Sequence, residues 1–180
     1  MTATISLVAG SQPEGLITAA ARLGASIASL EAQIATQRET LAQLMSGWQG
    51  DAARAALLRA EKNLQRQHRL LVRLQTMRSA LRTGGGQLSA LRTHILGTAG
   101  QATSLGGLVS DDGTVSATGT GRLVTPVLAA AYTALVKKLL ATFDAVDEAT
   151  ASALTNAGAP QTPPHPPTPT VPDRAPTRSR

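Results

Sequence analysis

Leu41–Leu57, LAQLMSGWQGDAARAAL, is the stretch in which one apolar rhythm stops and another begins. Upstream of it Ala20, Ile27, Ile34, Leu41 and Trp48 fall in one seven-residue column, and Leu16, Leu23, Leu30, Gln37 and Leu44 fall in a second. Only Gln37 is polar. Alternating steps of three and four place both columns on one stripe of a helix, the seam expected of a bundle or coiled-coil contact. Gly47 and Gly50 bracket Trp48 and end that pattern. It restarts with Leu57, Leu64 and Leu71 beside Ala60, Gln67, Leu74 and Leu81. A connection of about four residues forces two such helices to lie antiparallel, side by side. At 1.5 Å per residue, helices of about 32 residues are roughly 48 Å long. Ser11 is the expected N-cap of the first, with Pro13 in its first turn and Glu14 as capping-box partner; Asp51 is the expected N-cap of the second.

Working outward, Gly84, Gly85 and Gly86 interrupt the second helix, and each costs about 1 kcal/mol relative to Ala in a helix interior. A kink or stop is expected there. Leu81, Leu88 and Ile95 keep the seven-residue spacing, so the helix is expected to resume over Gln87 to Leu96 on the same face. Residues 1–100 therefore read as a helical hairpin. Residues 101–124 read as a Gly-rich linker holding a small β-hairpin, with short β-prone arms in Leu108 to Ala117 around a primed turn at Asp112-Gly113. Residues 125–158 read as a third helix, capped by Thr125 with Pro126 at its first position and carrying a wide apolar face. Residues 159–180 are Pro-, Thr- and Arg-rich and are expected to be a disordered, polyproline-leaning tail. The fold class is all-α, with the β-hairpin as a minor excursion.

Composition supports that class. One Trp, one Tyr and one Phe make up 2% of 180 residues, too few aromatics for a β-sandwich or barrel core. Ala and Leu must build the interior, and both favour helix packed closely on helix. The absence of Cys removes disulfides, thiol nucleophiles and zinc thiolate sites. His68, His94 and His165 share no metal-ligand spacing. No carboxylate pair, nucleophile elbow or phosphate loop accompanies them, so the chain reads as a non-enzyme with no cofactor or metal. Gly119-Thr120-Gly121 and Asp111-Asp112-Gly113 are turn chemistry rather than dinucleotide or calcium motifs. The N-terminus has no basic segment before an apolar run and no small-residue cleavage site, and no stretch is expected to reach the ~20 apolar residues a membrane span needs. Export, if it occurs, is expected without a cleavable signal.

The net charge of +6 is concentrated. From Asp51 to Gly100, Arg54, Arg59, Lys62, Arg66, Arg69, Arg73, Arg78, Arg82 and Arg92 face only Asp51 and Glu61. Arg59, Arg66 and Arg73 recur every seven residues beside the Leu column, with Arg69 near them, forming a basic stripe along the apolar seam. Such a stripe is a solvated flank or a set of coiled-coil flanking positions that pair with an acidic helix. The alternative is a basic module that neutralises phosphates on nucleic acid or anionic membrane. No stacking platform or reading motif accompanies the stripe, which disfavours nucleic acid.

Trp48-Gln49-Gly50, set between two amphipathic helices about 35 residues into the first, resembles the turn of the WXG family, substrates of type VII (ESX) secretion. The likeness covers roughly Pro13 to Leu96, and the Gly-rich hairpin after it resembles the region following the helical module in larger actinobacterial substrates. It implies a helical-hairpin interaction protein, a secretion substrate or associated factor. Such a protein pairs with a helical partner or with itself as a dimer to make a four-helix bundle. It would be made in the cytoplasm and secreted or placed at the cell surface by the type VII machinery. The interface would be the seam of Leu23, Ile27, Leu30, Ile34, Leu41 and Leu44 against Leu57, Leu64, Leu71, Leu74 and Leu81. The family's Tyr-x-x-x-acid export signal has no direct match here, because the only Tyr, Tyr132, is followed four residues on by Val136. Phe143 and Asp147 keep a ring and an acid one helical turn apart and are the candidate substitute.

Overall fold

A computed structural model describes residues 2–117 and 124–159. The 118–123 segment and the Pro-rich region from residue 160 onward, the expected disordered tail, lie outside the described residues. The chain is mostly helical, as its composition predicts. Its elements are α1 (Ile5–Gly10), α2 (Glu14–Gly47), α3 (Asp51–Ser104), β1 (Gly107–Val109), β2 (Val115–Ala117) and α4 (Pro126–Gly158).

α3 is the spine, 54 residues and about 81 Å long at helical rise. α2 and α4 both pack along it. α2 runs antiparallel to its N-terminal part, with the Glu14 carboxylate accepting from Ser89 Oγ at 2.9 Å and Glu31 from Gln75 Nε2 at 3.0 Å. α4 covers the C-terminal part. The core follows that division. Val8, Leu88, Ile95, Val136, Leu140 and Phe143 join α1, α3 and α4 in the main cluster, whereas Ile27, Ile34 and Leu71 form a separate, smaller cluster between α2 and α3. The molecule is thus a base, where three helices and the hairpin meet, and an arm made of α2 and the first half of α3.

The kink or stop expected at Gly84–Gly86 does not form: α3 runs unbroken through all three. The reason is packing. Gly84 and Gly85 are buried where the two neighbours converge on α3. A Cβ on Gly84 would overlap the Thr150 hydroxyl and come within 2.9 Å of the Thr150 Cβ; one on Gly85 would lie 2.9 Å from Ile17 and 3.0 Å from Leu16. Close approach of α2 and α4 offsets the conformational cost of glycine in a helix.

Four local readings are also corrected. Ser11 ends α1 and its hydroxyl donates to Val8 O, while Pro13 occupies the N-cap position of α2 with no side-chain cap. Glu14 is turned to Ser89 instead, and its own backbone amide first, then the Ser89 hydroxyl, hold its pKa below the ordinary carboxylate value. Asp51 is the first residue of α3, and the cap position before it belongs to Gly50. The β-hairpin turn is not primed, since a primed turn needs a non-glycine residue with positive φ here and none exists. Gly113 N–H donates to Ser110 O and Gly113 alone takes φ +83, the pattern of a tight turn followed by a left-handed glycine. A side chain there would also strike Val136 and Leu140, so the loop rests directly on α4. By length and composition α4 itself is long and apolar enough to cross a membrane, with a mean hydropathy of 1.3 over its best window. The expectation that no stretch is apolar enough is therefore corrected: Lys137 and Lys138 divide the apolar residues without lowering the average below that of a span. In this structure α4 buries Val136, Leu140 and Phe143 against the base.

α1 was not anticipated. Thr4 caps it by accepting from Leu7 N, and Val8 anchors it with no solvent exposure. Ala3 N donates to Asp144 Oδ2, Ile5 N to Asp111 O and Ser6 N to Asp111 Oδ1, while Arg92 donates to the Val8 and Ala9 carbonyls that end the helix. This N-terminal strap ties the hairpin loop to α3 and α4. Hydrogen bonds from Ser6 lower the Asp111 pKa, and those from Thr114, with Lys137 beyond, pull Asp112 down to about 2.

Glycine substitutions separate the two demands on α3. Gly84→Ala should destabilise by about 1–3 kcal/mol through overpacking. Gly86→Ala, where a Cβ meets nothing within 4 Å, should stabilise by about 0.5–1 kcal/mol. Urea denaturation of both variants measures the contrast.

Candidate functional site

The arm ends in the Trp48-Gln49-Gly50 turn. α2 stops at Gly47, and Trp48 leaves the helix in an extended conformation with φ −115 and ψ 122. Gly50 then takes φ 103 and ψ −178 and starts α3, a backbone conformation essentially restricted to glycine. The third position of the tripeptide therefore has a steric explanation in this chain alone. Trp48 does not: the residue is 47% exposed and belongs to no core cluster.

The seam residues separate along the arm. Leu23, Ile27, Leu30 and Ile34 of α2 meet Leu64, Leu71 and Leu74 of α3 in the arm's cluster. Leu81, close to the base, is half-buried, as are Leu41 and Leu57 toward the tip. Leu44 is 55% exposed, and Leu58, absent from the expected seam, is 58% exposed. With Trp48 they leave large apolar side chains in solvent around the tip. Two open grooves flank this section. One, of about 260 Å³, is bordered by Leu41, Leu44, Ala60 and Leu64; the other, of about 600 Å³, has Arg38, His68 and Arg69 on its walls and Leu64 in its lining. Leu64 borders both, because the two helices close on each other only thinly there. Within the same section Gln67 Oε1 is buried without a hydrogen-bond partner, and Gln37, the polar member of its column, is exposed.

The basic stripe remains largely in solvent. Arg59, Arg66 and Arg69 are exposed and Arg73 is half-buried. None of the four has an anionic partner among the described residues, where the ion pairs are Arg54 with Asp51 and Lys137 with Asp112. Arg78 packs its guanidinium over Gly24.

Phe143 and Asp147 sit in the base, far from the Trp48 turn. Phe143 is 5% exposed and belongs to the main core, while Asp147 is exposed; both line a small cleft with Pro13, Leu16 and Leu88. The ring is thus committed to packing. Among the described residues no three His, Asp or Glu side chains come together. The exposed Leu58 and the loosened tip escaped sequence reasoning because periodicity reports which side chains share a stripe, not how tightly two stripes close.

Gly50→Ala should destabilise by about 1–3 kcal/mol, because no L-residue holds that conformation without strain. Trp48→Ala should change stability by less than about 1 kcal/mol, since the ring is half in solvent. Thermal unfolding of the two variants tests the opposite roles of the turn's ends.

No protein-family model, no curated protein and no solved structure matches the chain.

Proposed function

We propose that this chain is a non-enzymatic helical interaction protein whose α2–α3 hairpin pairs with another helical protein in a bundle. The observation that carries the reading is the arm itself: two long helices with a thin shared seam, open grooves on both flanks, and Leu44, Trp48 and Leu58 exposed at the tip. Exposed apolar side chains also occur elsewhere, at Leu70, Val72, Leu108 and Val127 among others; at the tip they coincide with open grooves, and an apolar surface of that kind marks an interaction site. The Trp48-Gln49-Gly50 turn, a half-exposed ring held beside a glycine that shapes the backbone, supports a WXG-like role as a type VII secretion substrate or secretion-associated factor. Trp48 then acts in recognition rather than in stability. Because Phe143 is buried in the base, the reading favours export in company with a partner that supplies the missing Tyr-x-x-x-acid signal.

A basic module for nucleic acid or anionic membrane is the second reading, favoured by the unpaired cations of α3. It leaves the apolar tip without a role.

Comparison of culture supernatant and cytosol in the native host, with and without the secretion motor, tests the leading reading. The chain should appear outside the cell only when the motor is present, and Trp48→Ala should reduce its export while leaving its fold intact. Retention in the cytosol in both strains would remove the secretion role, and undiminished export of Trp48→Ala would remove the turn motif from it.

A further inference from the structure

Charge is distributed unequally between arm and base. Residues 14–83 carry ten Lys and Arg against five Asp and Glu, while the other described residues carry three against five. Within the arm a single ion pair forms, Arg54 with Asp51. The larger groove combines an apolar contact at Leu64 with cationic walls from both helices, Arg38 of α2 and Arg69 of α3. Its one acid, Glu61, makes no ion pair with them among the described residues.

We propose that the occupant of this groove is an acidic amphipathic helix of a partner protein, not a second copy of this chain. This rests on the arm being a helix-pairing element. Such a helix places its apolar seam on Leu64 and its flanking carboxylates against Arg38 and Arg69. Packed helix axes lie about 8–10 Å apart, so flanking side chains of neighbouring helices meet within the Debye length of about 8 Å at physiological salt, and the sign of the flank is felt across the contact. A second copy brings the same excess of cations to that contact. The chain's own Pro-rich segment is no better suited, with Arg174, Arg178 and Arg180 against Asp173. Nucleic acid matches the charge but offers nothing to cover the apolar Leu64 of the groove's lining, where the lone ring is the imidazole of His68. An acidic helix satisfies charge and apolar surface together.

The full chain carries its own reporter, because Trp48 is its only tryptophan and stands at the arm's tip. Titration by Trp48 fluorescence would use three Trp-free designed helices of about four heptads. They share one Leu seam and differ only in Glu, Gln or Lys at the flanking positions. At about 0.1 M salt the Glu helix should bind about tenfold more tightly than the Gln helix, the sum of a few exposed pairs, and the Lys helix more weakly still. The gap should close near 1 M salt. In the exposed double variant Arg38→Glu, Arg69→Glu the order of Glu and Lys helices should reverse. Equal binding of all three helices would overturn the acidic partner while leaving helix pairing in place, and so would a salt-insensitive homodimer that shields Trp48. Tighter binding to a duplex of about 20 base pairs or to phosphatidylserine vesicles than to the Glu helix would overturn it in favour of those ligands. Failure of every helix to bind would remove the pairing role as well.

Discussion

α2 and α4 converge on one side chain-free patch of α3, and every larger feature of the molecule depends on that approach. Gly84 admits Thr150 of α4 and Gly85 admits Leu16 and Ile17 of α2, so a single helix holds one partner on each side at the same level. A Cβ at either position forces a neighbour away. With both glycines in place, α3 passes unbroken from arm to base and transmits the geometry of one to the other. The glycine triplet would weaken an isolated helix. Here burial of Leu88, Ile95 and Ala99 just beyond it supplies packing that a solvated helix lacks, in keeping with the rule that tertiary contacts rather than propensity hold most helices in proteins.

The base and the arm are built to different standards. In the base, α1 seals the end of the core with Val8, Arg92 closes its last carbonyls, and Asp111 and Asp144 bind the strap's amides. In the arm, two helices share a narrow seam whose buried large residues are Ile27, Ile34 and Leu71, and beyond it the tip loosens into grooves. Two-helix packing leaves each helix with flanks that nothing covers. An element of this kind is suited to completion by further helices, which links the packing deficit of the arm to its proposed role in pairing. Gly50 fixes the turn, freeing Trp48 for contact with something outside the chain.

Much of this was legible in the residues, and the parts that were not have physical causes. Heptad columns located α2 and α3, and Thr125 with Pro126 located the start of α4, because amphipathic period and capping chemistry are local signals. The continuity of α3 was not local. Gly84 and Gly85 read as breakers until their neighbours, more than sixty positions away along the chain, are known to fill the missing side-chain volume. The six residues of α1 carry too little periodicity to announce a helix, although Thr4 ahead of Leu7 is an ordinary cap. At the candidate site, the tripeptide and the Arg spacing were visible, whereas the exposure of Leu44, Leu58 and Trp48 depends on how closely two helices approach. The burial of Phe143 likewise follows from α4 docking on α3, which its own sequence does not encode.

Native-state hydrogen exchange along the full chain tests the division into a tight base and a partner-seeking arm joined by one continuous helix. Amides of α3 around Gly84–Gly86 and Ile95 should be protected to nearly the global unfolding free energy. Those of α2 beyond Ile34 and of α3 before Leu64 should open locally at least about 2 kcal/mol more easily. Uniform protection from arm to base, or fast exchange confined to the glycine triplet, would contradict the account.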